Sequence, residues 1–142
     1  MGHRVVLDTN VLVSSLLTPN GKPAYILNMV TNGRITPLYC TEIIAEYVRS
    51  LRKPKFVLKI PESMISEAIS TFRLFGETVE PVKSDFHMED ESDRVFYDAA
   101  VTTGVILITG NLKHFPPKEF IMSPADFLKM MHETEESFGA ID

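Results

Sequence analysis

The run Arg4-Val5-Val6-Leu7-Asp8-Thr9-Asn10 constrains the fold of this chain more than any other stretch. Its β-branched and apolar residues predict a short buried strand, and Val11, Leu12, Leu16 and Leu17 then resume with helical spacing. A buried strand that feeds at once into a helix is the unit from which parallel α/β sheets are built. In such sheets the ligand crevice lies at the carboxyl ends of the strands, so Asp8 stands where these folds bind and react. Asp, Thr and Asn are also good helix caps, and this stretch alone leaves both roles open for Asp8.

The rest of the chain continues the alternation. Val11–Leu17 reads as a helix ending at Pro19-Asn20-Gly21, and Pro23 suits the first turn of a second helix closed by Asn32-Gly33. Ile35–Cys40 is the next expected strand, with Thr41 as cap of a helix over Glu42–Leu51. Pro61-Glu62 opens a longer helix that Gly76 stops, and Thr78–Val82 reads as a strand followed by a polar connection to Glu89. Val95, Phe96, Ala99, Ala100 and Thr103 form a helical stripe ending at Gly104, and Val105–Ile108 is a continuous apolar strand. Phe120–Met122 suits an edge strand, Ser123-Pro124 starts the last helix, and the acidic tail from Glu133 is expected to fray. The pattern predicts an α/β fold: a three-layer α/β/α sandwich on a central, mainly parallel sheet of four to five strands, in one domain over residues 1–142.

Bulk properties narrow the function classes. No apolar run approaches the length of a membrane span and no signal peptide precedes the first strand, so a cytoplasmic protein without membrane contact is expected. Cys40 is the single cysteine, and His3, His87, His114 and His132 are scattered without zinc spacing, so any metal is expected on oxygen ligands. The formal net charge of −5 argues against holding nucleic acid by bulk attraction. Arg49, Arg52, Lys53 and Lys55 concentrate positive charge locally, which suits either a nucleic-acid contact or a solvated helix end.

Acids recur at the places where elements begin or end. On the helix over Glu42–Leu51, the apolar stripe of Ile43, Ile44, Tyr47, Val48 and Leu51 leaves Glu42 solvated and Glu46 at its edge. Glu46 could face the sheet rim or simply pair with Arg49. Asp90 and Asp93 lie at the start of the next helix, where a capping box is the plain alternative to a ligand role. Asp98 is expected on the surface. Thr109-Gly110-Asn111 ends a buried strand as Asp8-Thr9-Asn10 does, so the two ends meet if their strands are neighbours. Carboxylates brought together in this way repel one another unless a cation sits among them, and Mg²⁺ or Mn²⁺ suits an oxygen-lined site.

Three segments, VVLDTNVLVSSLL, EIIAEYVRSLRKPKF and DESDRVFYDAAVTTGVILITGNLKHF, resemble the PIN-domain family, in particular its branch of toxin components of toxin–antitoxin systems (VapC-like). The resemblance spans nearly the whole chain and implies a metal-dependent endoribonuclease. By matching position it implies that Asp8, Glu46 and Asp93 are the catalytic metal ligands for Mg²⁺ or Mn²⁺, with Asp90 as a further acid. It implies that Thr9, Asn10, Thr109 and Asn111 orient these ligands, and that Arg49, Arg52, Lys53 and Lys55 guide RNA. A cognate antitoxin and a homodimer are the partners it implies. One departure stands out, since relatives often carry an acid where this chain has His114. The alternative function is a non-catalytic PIN-like module that binds RNA or a protein; a haloacid-dehalogenase-type phosphatase is disfavoured because Asn10 replaces its second Asp.

Overall fold

A computed structural model describes residues 2–141, with side chains described over residues 2–132. Strands β1 (His3–Leu7), β2 (Ile35–Tyr39), β3 (Glu77–Thr78), β4 (Ile106–Ile108) and β5 (Ile121–Met122) form one sheet in the order β3-β2-β1-β4-β5. Every pairing is parallel. Helices α1 (Thr9–Leu17), α2 (Lys22–Thr31), α3 (Thr41–Leu51), α4 (Glu62–Phe75), α5 (Arg94–Thr103) and α6 (Pro124–Ile141) flank it, giving the expected three-layer α/β/α sandwich.

The strand order locates the crevice. From β1 the chain steps outward to β2 and β3, then returns to place β4 on the other side of β1. Right-handed crossovers send these two excursions to opposite faces, so the gap between the carboxyl ends of β1 and β4 is the switch point of the sheet. Register pairs Leu7 with Ile108, and the Asp8 amide donates to the Ile108 carbonyl over 2.9 Å. Asp8 and Thr109 therefore emerge side by side from the buried ends of two neighbouring strands.

Packing explains why the strands read as continuous apolar runs. Val5, Val6, Leu7, Leu107 and Ile108 are buried on both faces of the sheet. From α3 and α4, Tyr47 and Phe72 meet with ring centroids 5.1 Å apart, and Phe96 of α5 lies 5.8 Å from Tyr47. This cluster draws three helices together over β2 and the central strand β1. Gly104 ends α5 with φ +69°, and the Val105 amide returns to the Ala100 carbonyl at 3.1 Å, the six-to-one closure that favours glycine.

Some boundaries differ from the sequence-based expectation. β3 is only Glu77–Thr78, paired in parallel with Leu38 and Tyr39 of β2, because Val82 turns outward and its amide is taken by the Thr102 hydroxyl. Helix α3 begins at Thr41 itself, with Cys40 as its cap residue. On α6 the Ser123 hydroxyl accepts from the Asp126 amide, as its cap role requires. The backbone of α6 continues to Ile141, and the side chains of the acidic tail lie outside those described.

Candidate functional site

Asp8 is held by three donors. Its Oδ1 accepts from the Thr9 amide at 2.8 Å, and its Oδ2 accepts from the Thr109 hydroxyl at 2.8 Å and from Asn10 Nδ2 at 3.3 Å. Asn10 in turn accepts from the Gly110 amide at 2.9 Å, while Thr109 Oγ accepts from the Asn111 amide at 2.9 Å. The two strand ends thus form one hydrogen-bonded lattice around a single carboxylate. Thr9 and Asn111 contribute through their backbone amides, and Asn10 and Thr109 through their side chains. Asp8 also occupies the cap position of α1, so its cap and crevice roles coexist.

Asp93 enters from a different element. Asp90 caps a 3-10 turn over Glu91–Asp93, accepting from the Ser92 amide at 3.0 Å and the Ser92 hydroxyl at 2.7 Å. This turn delivers Asp93 to the mouth of the crevice at the start of α5. A reciprocal capping box would have Asp93 reach back to the cap; instead Asp93 Oδ2 is buried and makes no hydrogen bond. His114 Nδ1 stands 3.4 Å from it.

The electrostatics join Asp8, Asp90, Asp93 and His114 into one group. Burial, then the charges of Asp8 and Asp90, push the Asp93 carboxyl up to about 6, with His114 opposing. Burial also raises Asp8, although Thr109 and Thr9 hold it down by hydrogen bonds and Asp90 adds to the rise. Exposed Asp90 is lowered by its bonds to Ser92 and remains the ionised member. Two buried acids that resist ionisation beside a third that is charged make a site where positive charge is missing.

Glu46 is placed differently from the other acids. It lies on α3, half-buried, with Oε2 2.8 Å from Arg49 Nη2, the pairing its helical spacing allowed. Arg49 also feels the charge of Asp90, and Glu46 lines a cleft with Glu91 and Ser92 between α3 and α5 whose lining includes neither Asp8 nor Asp93. Among the described residues, no three His, Cys, Asp or Glu side chains close around a common point in this arrangement. The donor set nonetheless fits a hard divalent cation, because the orphaned buried Asp93 oxygen and the mutually raised acids are what such an ion would satisfy.

The basic cluster is partly engaged. Arg52 Nε lies 2.7 Å from Glu62 Oε1, Arg49 pairs with Glu46, and Lys55 Nζ sits 5.1 Å over the Phe56 ring. Lys53 is exposed at the start of the turn over Pro54–Phe56.

Sequence reasoning missed two supports of the site and misplaced one residue. Tyr47, read there as part of an apolar stripe, is wholly buried and donates its hydroxyl to the Leu7 carbonyl at 2.5 Å, which fastens α3 to the last residue before Asp8. A tyrosine inside an apolar stripe is the available signal, since its buried hydroxyl needs a partner. Arg94 is buried beside Asp93; it donates to the Ser84 and Phe86 carbonyls and pairs with Glu91, tying the connection after β3 to α5. Asp98, expected on the surface, is 4% exposed and accepts from the Ser84 amide, because that connection folds over it.

A family model described as PIN domain matches residues 4–113, a span that carries Asp8, Glu46, Asp90, Asp93, Thr109 and Asn111 and ends immediately before His114. An uncharacterized protein of Methanocaldococcus jannaschii is 29% identical over 109 residues, covering 76% of this chain and 70% of that protein. Among the described residues, no helix is long and apolar enough to cross a membrane.

Proposed function

Because this chain belongs to the PIN-domain family, whose members are generally nucleases, we propose that it is a metal-dependent endoribonuclease that hydrolyses RNA phosphodiester bonds. The observation that carries the reading is the meeting of Asp8 and Asp93 at the β1–β4 switch point, with Asp93 Oδ2 buried and unsatisfied.

In this reading Asp8, Glu46 and Asp93 hold Mg²⁺ or Mn²⁺, with Asp90 as a further acid. Such an ion, when bound, acidifies the attacking water and offsets negative charge building on the phosphodiester. The chain's own part is positional. Thr109, Asn10 and the Thr9 amide lock the Asp8 carboxylate in one orientation, so little side-chain freedom is lost when a ligand arrives. Glu46 would join the set only by giving up its bond to Arg49, whose guanidinium would then be available to the RNA backbone. Arg52, Lys53 and Lys55 extend that positive edge, and binding through it weakens as salt rises.

The test is cleavage of RNA in Mn²⁺ by wild type, Asp8→Asn and Asp93→Asn, with folding followed by circular dichroism. Loss of cleavage in both folded variants is expected. Equal rates in all three would overturn the assignment.

The resemblance to toxin components extends the proposal to a toxic ribonuclease with a cognate antitoxin and a homodimeric assembly. Growth arrest on expression of the wild type, relieved by Asp8→Asn, is the expected result. The non-catalytic module remains the second reading, favoured by one observation, the Glu46–Arg49 pair that engages an expected ligand. A calorimetric Mn²⁺ titration separates them: retention of RNA or protein binding with no metal uptake at millimolar concentration supports the module.

A further inference from the structure

His114 has no place in the ligand set above, yet its position is tightly determined. It closes a 3-10 turn over Leu112–His114, and its amide donates to the Asn111 carbonyl at 3.0 Å. The Asn111 amide is itself bound to Thr109 Oγ, which is bound to Asp8, and the next residue, Phe115, is buried. A continuous chain of contacts therefore fixes the His114 backbone relative to Asp8. The imidazole approaches Asp93 Oδ2 to 3.4 Å, and its charge is also felt by Asp8 and Asp90. With 48% of its side chain exposed, it also opens to water.

The contact it makes has the wrong length for a hydrogen bond. His114 Nδ1 and Asp93 Oδ2 are 3.4 Å apart, and the oxygen, although buried, accepts no hydrogen bond. A good N–H···O bond spans about 2.7–3.2 Å. Two donors that each bind one ion at about 2.1 Å are separated by about 3.0 Å in octahedral and about 3.4 Å in tetrahedral geometry. Mg²⁺ and Mn²⁺ are octahedral ions, so the 3.4 Å pair stands slightly wider than two ligands already on one ion, close enough for a small side-chain rotation to bring both onto it.

We propose that His114 is a nitrogen ligand to the divalent cation held by Asp8 and Asp93, and that it biases the centre toward Mn²⁺ over Mg²⁺. This rests on the metal-centre reading above. No three-ligand set is closed among the described residues, and the Asp93–His114 pair is the edge on which one assembles. The selectivity follows from ligand chemistry: Mn²⁺ shares the oxygen preference of Mg²⁺, but as a transition ion it loses less than Mg²⁺ when one oxygen ligand is replaced by imidazole. An all-oxygen site discriminates between the two less.

Mn²⁺ alone is the probe. Electron spin-echo spectra of the Mn²⁺-loaded full chain should show coupling to a directly bound ¹⁴N, and His114→Asn should abolish it. Calorimetric titrations with Mn²⁺ and Mg²⁺ should show the Mn²⁺ preference falling on the order of tenfold in His114→Asn. His114→Asp should shift the preference toward Mg²⁺. If the wild type binds Mn²⁺ without nitrogen coupling and His114→Asn keeps the same preference, the histidine proposal fails while a carboxylate centre stands. If Asp8→Asn and Asp93→Asn leave Mn²⁺ binding unchanged, the centre itself is wrong and both proposals fall.

Discussion

Thr109 Oγ donates a 2.8 Å hydrogen bond to Asp8 Oδ2, joining residues 101 positions apart across the gap between β4 and β1. Both are buried, so neither has water as a substitute partner. Thr109→Val keeps the side-chain shape and removes the donor. The expected cost is about 1–3 kcal/mol of stability, because a buried carboxylate loses a bond. Metal affinity should fall by about 10- to 100-fold, as it does when an orienting partner of a ligand is removed. Thermal unfolding and Mn²⁺ calorimetry check the two effects, and unchanged metal affinity would refute the orienting role.

Asp93 gives the metal-free protein a pH dependence of definite sign. Its carboxyl is raised from 3.8 to about 6 in the folded chain, so folding favours the protonated form. The stability tied to that proton is fully present below 3.8 and is lost as pH rises through about 6. For a shift of this size the loss is on the order of 3 kcal/mol. In chelator, Asp93→Asn should have a higher melting temperature than wild type at neutral pH and a flatter profile from pH 4 to about 7. Parallel profiles for the two proteins would contradict this.

The Glu46–Arg49 pair sets up a competition. Arg49 is exposed, so the pair adds little to stability, but it occupies a carboxylate proposed as a ligand. Arg49→Gln should leave the melting temperature nearly unchanged, tighten Mn²⁺ binding a few-fold and weaken RNA binding. Weaker Mn²⁺ binding in the variant would mean that Arg49 positions Glu46 for the ion instead of withholding it.

Gly76 tests the fold apart from the site. It lies between α4 and β3, and a Cβ there would come within 2.5 Å of the carbonyl oxygens of Phe72 and Pro37. Both are backbone atoms with no rotamer to yield. Gly76→Ala should cost about 1–3 kcal/mol while metal affinity in the folded fraction stays at the wild-type value. A stability change within error would show that α4 and β2 separate easily.

The α/β architecture was legible because its strands are apolar runs buried on both faces and its helices carry apolar stripes with caps. Val5–Leu7 and Leu107–Ile108 are such runs, and Ser123 and Gly104 mark element ends as expected. The analogy between Asp8-Thr9-Asn10 and Thr109-Gly110-Asn111 was also visible, since each is a buried strand ending in polar residues. β3 was overextended because an apolar Val82 reads as strand wherever it points. Asp98 was misplaced because its burial depends on the connection around Ser84, whose path has no periodicity.

By itself the sequence determined which segments alternate, that acids stand at their ends, and which family pattern those acids match. These are local properties, set by side-chain period, capping and order along the chain. Only the tertiary structure decided that β1 and β4 are neighbours, that Thr109 rather than solvent satisfies Asp8, that Glu46 turns to Arg49, and that His114 faces an unsatisfied Asp93 oxygen. Each of these depends on which distant segments share a dry boundary, where a polar atom must take whatever partner the packing brings within reach, and no local spacing encodes that choice.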